Sequence, residues 1–108
     1  MATAITLTKV PLNGGVALPT MQALAADGAK IPFTEQDTKI LILVENSSTT
    51  GNITFKAGSG ISGVADLVVS VNGSTTMAFV LESAAFKNAG EVVVTGATTM
   101  KVGALLLP

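Results

Sequence analysis

Lys39-Ile40-Leu41-Ile42-Leu43-Val44-Glu45, the all-polar loop Asn46-Ser47-Ser48-Thr49-Thr50-Gly51, and then Asn52-Ile53-Thr54-Phe55-Lys56-Ala57 form the stretch on which the fold of this chain turns. The first run is apolar on both faces. A strand of that kind sits centrally in its sheet, covered by the core on one side and by a neighbouring segment or subunit on the other. The last run alternates, with Ile53, Phe55 and Ala57 on one face, which marks a strand with a single buried side. Joined by a short polar loop ending in Gly, the two runs read as a hairpin.

Working outward, the same grammar repeats. Downstream come the glycine-rich connection Gly58 to Gly63, a strand at Leu67 to Val71, the turn Asn72-Gly73-Ser74, and a strand from Thr75 to Leu81 with Met77, Phe79 and Leu81 on one face. Asn-Gly between two β-rich runs is a strong turn signal. Ser83 to Ala89 forms a loop or one turn of helix, and Glu91 to Thr95 and Met100 to Leu107 supply the last two strands. Upstream, Lys30 to Phe33 is a short extended piece that leads into the turn Thr34-Glu35-Gln36-Asp37. Met21 to Ala26, bounded by Thr20 and Gly28, reads either as a short helix or as an irregular loop. About eight short strands spaced by roughly 8 to 12 residues define an all-β fold, a single-domain β-sandwich of antiparallel, jelly-roll-like character.

Residues 1–19 stand apart as an extended N-terminal arm packed on the sandwich domain of residues 20–108. Ile5, Leu7 and Lys9 alternate with Thr6 and Thr8, and Pro11, Asn13-Gly14-Gly15 and Pro19 then break the pattern. At the other end, Leu105 and Leu107 face opposite to Leu106, so one face fills the core and the other needs a second cover. That cover is the arm, the loop around Met21, or another subunit. The candidate protein-interface residues are therefore Ile5, Leu7, Val10, Leu12, Val16, Leu18, Leu105 and Leu107. The loops at Asn46 to Gly51 and Gly58 to Gly63 are further candidate contacts.

Composition narrows the function. The 108 residues fit one domain; 48% are hydrophobic and only 12% are charged, about half the usual charged share. A neutral surface of Ser, Thr, Gly, Ala and Asn is poorly protected against association, which points to a homo-oligomer or a larger assembly. The net charge is −1, the basic residues are all scattered Lys, and the only aromatics are four Phe, so no nucleic-acid footprint is present. The opening Met-Ala-Thr-Ala-Ile-Thr-Leu-Thr-Lys lacks the apolar core of a signal peptide, and no run approaches the ~18 apolar residues of a membrane span. The expectation is a chain made in the cytosol, away from membranes.

Chemistry is scarce. There is no His, Cys, Tyr, Trp or Arg, and no S-x-x-K stands at a strand-to-helix elbow, so neither a nucleophile with its base nor an aromatic-lined sugar cleft can be assembled. No enzyme and no small-molecule substrate are expected. Gly58-Ser59-Gly60-Ile61-Ser62-Gly63 satisfies G-x-G-x-x-G, with Glu82 about 20 positions on, but it leads into the β-branched run at Val68 rather than the helix that would hold a pyrophosphate. Glu35 and Asp37 are the closest acidic pair, too few oxygens for calcium. The expectation is no cofactor and no metal. Three Asn-x-Ser/Thr triplets, at Asn46, Asn52 and Asn72, are coincidental in a chain this rich in Ser and Thr.

Several phrases carry a resemblance. They are the opening Met-Ala-Thr-Ala-Ile-Thr-Leu-Thr with the later Pro19, Ala25-Ala26-Asp27-Gly28, Ile40 to Glu45 followed by Asn46-Ser47-Ser48, and the corner Leu81-Glu82-Ser83-Ala84-Ala85-Phe86-Lys87-Asn88 before Val92-Val93-Val94-Thr95. The closing Ala104-Leu105-Leu106-Leu107-Pro108 completes them. In this order, over nearly the whole chain, they resemble a family of small tailed-bacteriophage virion proteins that decorate the head. The resemblance implies a sandwich on the outer capsid surface, bound at a junction between subunits of the major capsid protein, where it stabilises the shell. It also implies a dimer or trimer located in the virion and assembled in the host cytoplasm. The chain departs from the family at Lys87 and Leu106, where relatives often carry Arg, and charged contacts at those places do not carry over. Two alternatives remain: another virion component of the neck, tail or fibre, and an Ig-like or carbohydrate-binding module on a cell surface. The second is disfavoured by the missing signal peptide and the missing Trp and Tyr platforms.

Overall fold

Wherever the sequence alternates, the chain is extended. A computed structural model describes residues 2–58 and 65–108 and forms ten strands among them. These are β1 (Thr3–Ala4), β2 (Leu7–Lys9), β3 (Gln22–Ala23), β4 (Ala29–Pro32), β5 (Ile40–Asn46), β6 (Gly51–Phe55), β7 (Leu67–Val71), β8 (Thr75–Phe79), β9 (Glu91–Gly96) and β10 (Met100–Leu106). A 3-10 turn at Asp37–Lys39 and a one-turn helix, α1 (Ser83–Phe86), complete the order. No helix among the described residues is long and apolar enough to cross a membrane.

Two five-stranded sheets pack face to face. The first runs β1-β4-β9-β6-β7; the second runs β2-β10-β5-β8, with β3 also pairing on β10. The core lies between them. Ile31, Ile53, Phe55, Val71, Val92 and Val94 come from the first sheet, Ile40, Ile42, Val44, Met100, Val102 and Ala104 from the second, and all are buried. The rings of Phe55 and Phe79 meet across the gap edge to face, with centroids 4.9 Å apart, the geometry that the ring quadrupole favours.

The sandwich expected from the sequence is present, and its connectivity differs in four ways. First, β5 and β6 do not form a hairpin: β5 lies between β10 and β8, whereas β6 lies between β9 and β7. Alternation tells which side chains turn inward, and an arch between sheets turns the same ones inward as a hairpin does. Second, the Asn72-Gly73-Ser74 turn is also an arch, since β7 and β8 belong to different sheets. Among the described strands, only β6 and β7 are both consecutive and paired. Third, Met21 to Ala26 is not helical. Gln22 and Ala23 pair with β10, and the Leu24 N–H donates to the Met100 carbonyl, so ladder pairing and burial of Leu24 outweigh helix propensity. Fourth, the sheets are mixed. β1 runs parallel to β4, and β2 runs parallel to β10.

That last difference redefines the arm. Thr3 and Ala4 extend the first sheet, Leu7 to Lys9 extend the second, and Ile5 between them is buried in the core. The segment thus closes one flank of the sandwich by crossing from one sheet edge to the other, covering edges that would otherwise present unpaired backbone groups.

Candidate interaction surface

The outward faces of the two sheets differ in chemistry. On the first sheet, cross-strand neighbours pair Thr54 with Thr95 and Val68, Asn52 with Ser70, and Lys30 with Val93, a mostly polar surface. On the second, register places Leu43 between Gly103 and Ala78, and Leu41 beside Leu105. Leu41 and Leu43 are half-buried, Ala78 is exposed, and Val80, just past β8, is 52% exposed. At one end of this face Glu45 is the cross-strand partner of Lys101, and at the other Lys39 precedes Leu41.

Part of this face has an intramolecular cover. A Cβ built on Gly103 would lie 2.6 Å from the Met21 sulfur and 3.4 Å from a Pro19 carbon, so the loop around Met21 rests directly on β10. Leu105, on the same outward face, is only 7% exposed. Of the covers considered for the C-terminal leucines, the loop around Met21 is the one seen over Gly103. Leu106 turns inward against the core.

The candidate interface residues fall into three groups. Ile5, Leu7 and Leu105 are engaged within the chain: Ile5 belongs to the core, Leu7 packs against it, and Leu105 is buried on the outward face. Val10 and Leu107 are half-buried and line a shallow depression of about 210 Å³ together with Lys9, Glu35 and Lys39. Leu12 and Leu18 are 76% and 71% exposed, and Val16 is exposed between them. These three lie on the connection between β2 and β3, where every residue from Pro11 to Leu18 is exposed. A connection this long without regular structure is uncommon in a compact domain unless it has a task. Leu41, Leu43, Ala78 and Val80 join the candidates on this face. The missing alternation in Ile40 to Glu45 signals the two leucines, whereas Ala78 and Val80 have no local signal of their own.

No family model, curated protein or solved structure matches this chain. The function therefore has to be argued from its own surface.

That surface offers little for chemistry among the described residues. No group of three or more His, Cys, Asp or Glu residues is placed to hold a metal. A depression of about 270 Å³ is lined by Thr6, Thr8, Thr20 and Gln22 beside Ile5 and Gly103 and contains no ionisable side chain. The Gly58 to Gly63 motif lies mostly outside the described residues.

One carboxylate has a defined structural task. Asp66 accepts from the Ala57 N–H at 2.7 Å through Oδ1 and from the Lys56 ammonium at 3.0 Å through Oδ2, tying together the ends of the β6–β7 connection. The backbone donor first, and then Lys56, hold its carboxyl below the ordinary aspartate range. A pKa lowered by folding gives stability that is present above the unfolded-state value and is lost as pH falls through the folded one. Below about pH 4, wild type should therefore lose stability more steeply than Asp66→Asn, which has no carboxylate to protonate. Urea melts from pH 7 down to pH 3 read this directly, and parallel curves for the two proteins would refute the role.

Proposed function

We propose that this chain is a structural virion protein that binds the outer surface of a tailed-phage capsid and stabilises the shell. The observation that carries the contact is the exposed apolar linker, Leu12, Val16 and Leu18, on a segment that the chain's own fold leaves uncovered. Its resemblance to head-decoration proteins supplies the partner, the major capsid protein. Burying one leucine contributes about 1.5–3 kcal/mol, and repetition over a lattice raises the effective affinity without any tight single site. Contact through neutral and apolar groups also fits a chain with so few charges.

The test is rebinding. Purified protein is mixed with capsids stripped of it, and occupancy is read in density at regular shell positions. Leu12→Ser and Leu18→Ser should each weaken rebinding by about tenfold or more while leaving the melting temperature unchanged, because neither side chain is packed in the fold. Unaltered rebinding by both variants would sink the linker as the contact. Labelling confined to one vertex or to the tail would replace this reading with a neck, tail or fibre role.

A further inference from the structure

The two flanks of the sandwich are treated differently. On one, β1 covers the edge of β4, and β2 and β3 cover the edge of β10. On the other, β7 and β8 are the terminal strands of their sheets. The chain from Leu67 through Leu81 contains both of these strands and has neither a charged residue nor a proline. Natural edge strands are normally blunted by Lys, Pro, a bulge or a covering segment, because an unpaired row of N–H and C=O groups recruits further strands. Here one flank has a covering segment, whereas among the described residues no strand covers the other, and its two strands carry neither Lys nor Pro.

The two open edges are not equivalent. The Val71 carbonyl at the end of β7 accepts from the Asn46 Nδ2 at 3.0 Å, and Asp66 places a charge just before the start of that strand. Among the described residues, no backbone hydrogen bond reaches Thr75–Phe79 except those from β5. β8 also borders the apolar outward face, with Ala78 beside Leu43 and the exposed Val80 just beyond.

We propose that the free edge of β8 pairs antiparallel with β8 of a second copy about a two-fold axis, so that the order β2-β10-β5-β8 continues into its mirror order in the partner. Charge agrees with this occupant. Antiparallel self-pairing centred on Thr75–Phe79 opposes only uncharged residues across the seam, it carries Glu82, the nearest charged residue along the chain, to opposite ends in the two copies, and it leaves Glu45 one strand back, beside Thr76 on β5. The pairing is also closed. Each copy uses its one β8 edge once, so assembly stops at two, whereas joining unlike edges head to tail would run on into filaments. With the seam centred on Met77, Ala78 of each copy lies opposite Thr76 of the other, so the outward face of the sheet continues across the axis through small uncharged side chains.

Sedimentation velocity and amide hydrogen exchange on the intact chain test this. Wild type is expected to be a dimer at about 10 µM, with the alternate Thr75–Phe79 amides that point away from β5 protected. Thr76→Lys and Ala78→Lys, both at exposed positions, should shift the dimer dissociation constant by at least about tenfold with little change in the monomer's melting temperature. Val68→Lys, at the equivalent outward position of β7, should leave the dimer intact. A wild-type monomer at about 100 µM, a dimer that survives both β8 variants, or equal dissociation by Val68→Lys would each overturn the proposal. So would edge protection that appears only when a different protein is added. Capsid rebinding by a monomer would overturn this pairing and leave the decoration reading standing, so the two fail separately.

Discussion

Asn46→Asp should lower the melting temperature by about 12 °C or more, corresponding to a loss of about 3 kcal/mol. Asn46 is the one polar residue among the buried side chains described, and it sits where the strand β5 turns into the arch to β6. Its Nδ2 donates to the carbonyls of Thr49 and Val71, both at 3.0 Å, and its Oδ1 accepts from the Ser48 N–H at 3.1 Å. One side chain thus closes the arch and ties it to the end of β7. A carboxylate in its place can still accept from Ser48 but presents negative charge to two carbonyl oxygens that have lost their donor. Leaving buried acceptors unpaired costs about 1–3 kcal/mol each, and more for a charged group. Asn46→Ala removes the contacts without adding charge and should be milder. Thermal melts of both variants decide the matter. Equal losses would mean that packing, and not the paired carbonyls, accounts for the cost.

Gly28→Ala should be as severe. Gly28 has φ of +89°, and a Cβ built on it would lie 2.0 Å from the Val94 carbonyl oxygen and 3.0 Å from the Thr95 methyl. Both contacts are on β9, the strand that β4 pairs with immediately after this glycine. An alanine therefore has to adopt backbone angles that L-residues avoid and must also push β4 away from β9, where Ala29 and Val94 are register partners in the core. The expected cost exceeds about 3 kcal/mol, at the high end of single substitutions, and is read by circular dichroism melts or by loss of soluble protein. A variant melting within about 5 °C of wild type would show that the β4–β9 contact yields more easily than its geometry implies.

The sequence reveals inward faces far better than partners. Ile40, Ile42 and Val44 against Leu41 and Leu43 correctly announce a central strand with two apolar faces, and Ile53 and Phe55 announce a one-sided strand. Neither pattern tells an arch from a hairpin. The discriminating residue was Asn46, polar yet at the inward parity of β5, where only a dedicated set of carbonyl partners makes it stable. The paired pieces of the arm, Thr3–Ala4 and Leu7–Lys9, are too short to carry a readable period of their own. Ile5 and Leu7 alternate identically whether they line an interface or the core; the structure gives them to the core. Exposure of Leu12 and Leu18 depends on where the rest of the chain passes, which no local pattern encodes. Gly28 was legible as a punctuation point but not as a site of contact with β9, because that contact joins residues far apart in sequence.

The position of β10 has a consequence for synthesis. It pairs with β5, β2 and β3 and is the seam of the second sheet, yet it spans Met100–Leu106. At roughly 5–20 residues per second on the ribosome, Ile40 to Val44 wait roughly 3–12 seconds after emerging before the strand that flanks them exists. During that interval the most apolar stretch of the chain has no partner on that side. The hazard of association for this sheet therefore falls during translation rather than after it.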